Sequence, residues 1–143
     1  MRVVFVCTGN TCRSPMAEGI LKNMREDFEV ISRGLYVPEE TGASFNSIKA
    51  MEDMDIDISD HKSKQLTVGD AEDADVIITM TSPHKNTILS SCPQFKGKTF
   101  TLSEFAGEEG EVSDPYGMDF SAYKNCAEMI YSLISKVDWS KNV

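Results

Sequence analysis

The chain has 143 residues, of which 41% are hydrophobic and 26% are charged, a composition typical of one soluble globular domain spanning residues 1–143. The formal net charge of −9 argues against a nucleic-acid partner, which would need basic patches, and no apolar run approaches the length of a membrane span. Because the four cysteines are too irregularly spaced for a disulfide framework, we predict a cytoplasmic protein. We also expect it to be monomeric and to have no membrane partner.

The first predicted element is a short buried strand over residues 3–6, followed at once by Cys-Thr-Gly-Asn-Thr-Cys-Arg-Ser-Pro in residues 7–15. Ser14 and Pro15 favour a helix start, with Ser14 at the N-cap and Pro15 at the first helical position. A loop between a strand end and a helix start turns its N–H groups inward beside the positive end of the helix dipole. With Gly9 allowing the backbone to bend, this loop is predicted to bind an anion such as phosphate.

Within this loop, five residues separate a cysteine from an arginine. A helix N-terminus and a guanidinium both favour a thiolate, so Cys7 is predicted to attack phosphorus. Arg13 offers a planar fork that matches two phosphoryl oxygens and can tighten on them in the transition state. Ser14 is expected to hydrogen-bond the sulfur when it leaves, and Asn10 to hold the loop through bonds to the backbone. The other predicted phosphate-binding residues are Thr8, Gly9, Thr11 and Cys12.

This loop has two other interpretations. A bare Cys-x5-Arg pattern is weak, and Cys7 would then be a small buried hydrophobe, but the preceding strand and the Ser-Pro helix start give the pattern specificity. Cys7 and Cys12 also have a spacing that zinc permits. No second Cys or His pair follows at ligand spacing, so we expect no metal and no cofactor.

The rest of the chain alternates predicted helices and strands. The first helix has an apolar face made of Ala17, Ile20, Leu21 and Met24, and a strand follows at residues 29–31. The later elements are a helix with Phe45, Ile48 and Met51 on its core face, a strand at 75–80, a helix from Ser82-Pro83 to Ser91, a strand at 98–102, and a last helix with Phe120, Tyr123, Ala127, Ile130, Ile134 and Val137 on one face. This alternation predicts an α/β fold: a single three-layer domain with a central parallel sheet of about four strands and helices on both faces. Such folds bind ligands at the carboxyl ends of the strands.

A leaving group needs a proton, and Asp114 is the candidate general acid. It precedes Pro115 in a polar, glycine-rich stretch before the last helix, and the proline biases it away from helical geometry. Asp-Pro is also an ordinary way to open a turn. The nearby anion loop favours the catalytic interpretation.

Residues 7–14 together with Asp114-Pro115 resemble the low-molecular-weight protein phosphatases. Looser matches at Ser32-x-Gly34, at 61–66 and at 74–80 extend the resemblance over essentially the whole chain. It implies that Cys7 forms a phosphocysteine, that Arg13 binds the phosphoryl group, and that Asp114 acts first as acid and then as base. Cys12 is similar to the family's second loop cysteine, which forms a reversible disulfide with the nucleophile. The implied substrate is a phosphorylated protein.

Thr11 bears on which phosphorylated residue is used. Tyrosine phosphatases of this family more often carry Ile or Leu at this position, whereas Thr resembles the bacterial branch that acts on phosphoarginine. A hydroxyl suits a polar phosphoguanidinium, so phosphoarginine is favoured and phosphotyrosine is the alternative. Tyr36 and Tyr116 are expected to wall the pocket. Arg33 stands where the family usually has Ala, and with Lys62 and Lys64 it is a candidate basic rim.

Two other classes of function stay open at this stage. A thiol-dependent arsenate reductase would use the same loop but needs resolving cysteines. Cys92 and Cys126 are the available thiols, and neither has the paired arrangement of that class. A phosphocarrier would gain nothing from a general acid that promotes hydrolysis.

Overall fold

The structure is a computed structural model that describes residues 1–140; residues 141–143 of the predicted domain lie outside the described residues. The strands are β1 (Arg2–Cys7), β2 (Glu29–Gly34), β3 (Val76–Thr79) and β4 (Thr99–Thr101). They form one sheet in the order β2-β1-β3-β4, and every pair is parallel. Since β2 and β3 lie on opposite sides of β1, the chain reverses its direction of winding there, which is where such sheets open a ligand crevice.

Helices cover both faces of the sheet. They are α1 (Arg13–Met24), α2 (Phe45–Glu52), α3 (Val68–Asp73), α4 (Ser82–Ser91), α5 (Leu102–Phe105) and α6 (Phe120–Lys136), with a 3₁₀ segment at Pro93–Lys98. Successive strand side chains point to opposite faces. Phe5 and Ile78 therefore lie in the larger core with α1, α2 and α6, whereas Val4 and Ile77 pack with α3 and α4. The predicted α/β fold, with its four-stranded parallel sheet between two helical layers, is confirmed.

The structure corrects several local predictions. α1 begins at Arg13 with Cys12 at its N-cap, so Ser14 does not cap the helix. α4 begins at Ser82 as predicted, and Thr81 is its N-cap. Phe45 is 77% exposed and does not face the core. The short helices α3 and α5 and the 3₁₀ segment were missed, because elements of four to six residues are too short to show a helical period.

Within residues 1–140, no helix is both long enough and apolar enough to cross a membrane.

Candidate active site

The loop between β1 and α1 forms the floor of a cavity of about 250 Å³ at the carboxyl end of the central strand. The residues around this cavity, here called the active-site cavity, are Cys7, Thr8, Gly9, Thr11, Cys12, Arg13, Tyr36, Asp114 and Tyr116. Of the predicted site residues, only Asn10 and Ser14 do not line it. Both are fully buried behind the loop, where they contact residues that do.

Most backbone carbonyl groups of this loop accept hydrogen bonds, whereas the N–H groups of residues 8–12 are not used as donors. The carbonyl oxygens of Cys7, Thr8 and Thr11 accept from Leu35, Tyr36 and Ser44, respectively. Within residues 1–140, none of the amide N–H groups of residues 8–12 donates to another protein group. A run of unpaired N–H groups at a helix N-terminus is the arrangement that binds an oxyanion.

Asn10 fixes the shape of the loop. Its φ of 58° is the left-handed conformation, so the bend that was predicted at Gly9 lies one residue later. The side chain of Asn10 donates to the Ser14 and Ser32 hydroxyls at 2.8 and 3.0 Å and accepts from the Lys64 amide at 3.0 Å. Only one of these three bonds goes to the backbone, so Asn10 holds the loop mainly through neighbouring hydroxyls.

Ser14 connects this network to the nucleophile candidate. Its Oγ lies 2.9 Å from the Cys7 sulfur and accepts the Asn10 amide at 2.8 Å. Because the oxygen already accepts from Asn10, the Ser14 hydroxyl proton is free to donate to sulfur. A donor held at this position stabilises negative charge on Cys7.

Arg13 is 4% exposed, which is unusual for a charged residue. One guanidinium nitrogen donates to the Val112 carbonyl at 3.0 Å, and another lies 3.6 Å from an oxygen of Asp114. Its buried Nε has no partner within residues 1–140. A buried cation with an unused donor beside the loop is suited to bind an anionic ligand.

Asp114 borders the active-site cavity and lies on an extended loop. Two hydrogen bonds fix the position of this loop. Val112 anchors the loop, because its amide donates to the Met80 carbonyl at the end of β3. One Asp114 carboxylate oxygen accepts the Tyr116 amide at 3.0 Å, which forms a tight turn around Pro115. The carboxylate is half exposed and borders the active-site cavity, where it can exchange protons with a bound group.

The structure adds one residue that sequence reasoning missed. His84, in the first turn of α4, is 7% exposed, and its ring lies between two hydroxyls. Its Nε2 is 2.9 Å from Thr8 Oγ1, and its Nδ1 is 3.0 Å from Thr81 Oγ1. Burial, and then the positive charge of Arg13, lower the pKa of His84 from 6.5 to about 4. The only sequence signal was its place in a helix that follows the strand beside β1.

This lowered pKa predicts a pH-dependent stability. As pH falls from about 6.5 towards about 4, the unfolded chain protonates at position 84 while the folded protein does not, so the folded state loses stability. The full loss is about 3 kcal/mol and is absent at neutral pH. Urea unfolding across this range should show a shallower decline for His84→Gln than for the unaltered protein. Equal declines for the two proteins would contradict a neutral buried histidine.

The pocket-wall predictions have mixed outcomes. Tyr36 and Tyr116 both line the active-site cavity and are 70% and 76% exposed, which places them at its mouth. The predicted basic rim is wrong, since Arg33, Lys62 and Lys64 line a different cavity. Arg33 also pairs with Asp70 at 2.9 Å, so its charge is neutralised locally.

The remaining cysteines lie in different surroundings. Cys12 is buried in the loop, near the hydroxyls of Ser44 and Tyr123. Burial raises the pKa of Cys126 to about 12, so it stays a protonated thiol. Cys92 packs with the core on the opposite face of the sheet. Neither Cys126 nor Cys92 lines the active-site cavity, which does not favour a disulfide relay. No group of three potential metal ligands occurs among residues 1–140.

Comparison with known proteins decides the family. The profile of the low molecular weight phosphotyrosine protein phosphatases matches residues 2–140. The chain belongs to this family. A protein-arginine-phosphatase of Geobacillus stearothermophilus is 37% identical over 138 residues, covering 95% of this chain and 93% of that protein.

A low molecular weight protein tyrosine phosphatase from T. tengcongensis is 45% identical and superposes with a TM-score of 0.91, covering 95% of this chain and 96% of that one. A variant of the YwlE arginine phosphatase with a phosphorylated active-site serine is 34% identical, with a TM-score of 0.90 and coverages of 95% and 92%. The prediction that this phosphatase is a hydrolase of phosphorylated proteins is confirmed at the level of the family. Relatives named as tyrosine phosphatases and as arginine phosphatases both match closely, so similarity does not distinguish the two substrates. The side chains that line the active-site cavity are the remaining basis for that distinction.

Proposed function

We propose that this phosphatase hydrolyses phosphoarginine in proteins through a phosphocysteine intermediate. The observation that carries the proposal is the loop over residues 8–12, whose N–H groups are unused, together with the unpartnered Nε of the buried Arg13. These donors match the oxygens of a phosphoryl group, and Cys7 stands at the start of the same loop.

The reaction runs in two steps. The Cys7 thiolate attacks phosphorus, the bond from phosphorus to the guanidino nitrogen breaks, and Asp114 donates a proton to the departing nitrogen. Asp114 then takes a proton from water, which attacks phosphorus and releases phosphate while sulfur leaves as the thiolate. Ser14 stabilises that sulfur. The phosphorylated serine in the YwlE variant supports a covalent intermediate in a similar protein.

The proposal of phosphoarginine over phosphotyrosine is supported by the polar side chains on the loop side of the active-site cavity. Thr8 and Thr11 both line it. An aryl group would gain from aliphatic side chains there, whereas a phosphoguanidino group carries N–H donors that need polar partners. Tyr36 and Tyr116 could stack on either group, so they do not distinguish the two substrates.

Replacing Thr11 tests this substrate assignment. We expect the unaltered protein to have the higher kcat/KM on phosphoarginine, and Thr11→Ile to lower that value about tenfold or more while raising activity on a phosphotyrosine peptide. Thr11→Ser keeps the hydroxyl and should keep the preference. Thr87→Ile, on the exposed surface of α4, is the matched control and should behave like the unaltered protein.

A higher kcat/KM on phosphotyrosine in the unaltered protein would instead identify a tyrosine phosphatase. If Thr11→Ile changed both activities equally, Thr11 would not select the substrate.

Three further predictions complete the proposal: the protein acts in the cytoplasm, as a monomer and without a cofactor. The reversible disulfide between Cys7 and Cys12 also stays a prediction, implied by the family resemblance.

A further inference from the structure

His84 and Thr8 form a pair that the catalytic steps do not use. Their atoms Nε2 and Oγ1 lie 2.9 Å apart, although 76 residues separate them in the chain. Thr8 is exposed to the active-site cavity, whereas His84 is buried directly behind it. A buried imidazole held against a hydroxyl in a substrate cavity orients that hydroxyl.

The imidazole can serve Thr8 as either donor or acceptor. A neutral histidine has one ring N–H and one ring lone pair, so its two partners take opposite roles. The partner at Nδ1 is the Thr81 hydroxyl, which can itself donate or accept. Thr8 can therefore accept from Nε2 and point its own proton into the cavity, or donate to Nε2 and offer its oxygen lone pairs there.

The charges around His84 keep this choice open. Arg13 disfavours a second positive charge on the ring, whereas Asp114 and Glu111 act in the opposite direction. The balance leaves the ring neutral at physiological pH. A protonated ring would donate from both nitrogens, so Thr8 could no longer donate its proton to Nε2 and would have to accept from it.

We infer that Thr8 is a substrate-selecting residue and His84 its positioning residue, and that the pair favours a phosphoguanidino group over an aryl phosphate. This inference rests on the proposed function and extends it. The guanidino group places N–H donors beside the phosphoryl group, and a Thr8 hydroxyl that donates to His84 Nε2 can accept a hydrogen bond from them. The ring of phosphotyrosine offers no such partner.

The test compares four variants on phosphoarginine and on a phosphotyrosine peptide. Thr8→Val keeps the shape but removes the hydroxyl, and it should lower kcat/KM on phosphoarginine about tenfold or more. Activity on phosphotyrosine should change by less than about threefold, because no polar contact to its ring is lost. Thr8→Ser should retain the preference.

The histidine variants separate positioning from simple packing. His84→Leu should shift the preference in the same direction as Thr8→Val. His84→Gln, whose amide can donate or accept near the Nε2 position, should restore most of the preference. Thr87→Val on the same helix controls for helix stability. Thr8→Val keeps the backbone N–H of residue 8, the only part of this residue that the proposed anion site uses. Inorganic phosphate, measured as a competitive inhibitor, should therefore bind equally to the unaltered protein and to this variant.

Each alternative outcome has a distinct meaning. Equal losses on both substrates, or weaker phosphate binding in Thr8→Val, would overturn the inference, since Thr8 would then serve the phosphoryl group itself. Failure of His84→Gln to restore the preference would overturn the positioning role. A preference for phosphotyrosine in the unaltered protein would overturn the proposed function instead. In that case the inference is tested by the residual activity on phosphoarginine. It holds if Thr8→Val lowers kcat/KM on phosphoarginine more than on phosphotyrosine, and it is overturned if both values fall equally.

Discussion

Replacing Cys7 with serine is expected to reduce kcat/KM by about 10⁴-fold or more while leaving phosphate binding intact. A hydroxyl is a far weaker nucleophile than a thiolate at neutral pH, and serine bound to phosphorus is a poor leaving group. The proposed anion site consists of the N–H groups of residues 8–12 and of Arg13, which the substitution leaves in place.

Steady-state kinetics and inhibition by inorganic phosphate measure the two halves of this prediction. Mass spectrometry of Cys7→Ser after long incubation with substrate should detect slow gain of one phosphoryl group. Cys92→Ser, on the opposite face of the sheet, is the matched control and should keep full activity. Substantial turnover by Cys7→Ser would remove Cys7 from the mechanism.

Replacing Asp114 with asparagine is expected to slow turnover by about 10²- to 10⁴-fold, the usual contribution of a positioned general acid. Asparagine preserves the shape of the side chain and its bond with the Tyr116 amide, so the loop should keep its conformation. What it loses is the ability to protonate the departing nitrogen and later to take a proton from water.

How the loss of kcat/KM in Asp114→Asn depends on the leaving group distinguishes a general acid from a residue that only holds the loop. Asp114→Asn should lose much less in kcat/KM on an aryl phosphate with a good leaving group, which departs without protonation, than on phosphoarginine. Glu109→Gln removes one negative charge from the same loop and is the control for electrostatics. It should leave kcat/KM unchanged on both the aryl phosphate and phosphoarginine. A uniform loss on all substrates would assign Asp114 to binding or loop structure.

Much of this site could be predicted because its chemistry is local in sequence. Cys7 and Arg13 belong to a single strand-loop-helix unit, and the spacing of the two residues is set by the loop that joins them. The proline after Asp114 likewise marks a loop without reference to the rest of the fold. Alternation of apolar strands and amphipathic helices was enough to predict the parallel sheet.

Predictions from local sequence were wrong where a side chain forms a hydrogen bond or an ion pair with a residue elsewhere in the fold. Ser14 has the residue type of an N-cap, yet its hydroxyl bonds the Cys7 sulfur across the loop, and the N-cap is Cys12, two residues earlier. The basic rim failed for a related reason, because Arg33 has its own carboxylate partner in Asp70. In both cases a tertiary contact outweighed the local preference.

The sequence by itself determined the fold class and indicated a candidate anion-binding loop and a candidate nucleophile, because each depends on residues close together in the chain. Only the tertiary structure decided what stands behind that loop. His84 meets Thr8, Lys64 meets Asn10, and Val112 meets Arg13 across separations of 54 to 99 residues. No periodicity or spacing encodes such contacts, since they arise only when parallel strands bring their carboxyl ends to one edge of the sheet.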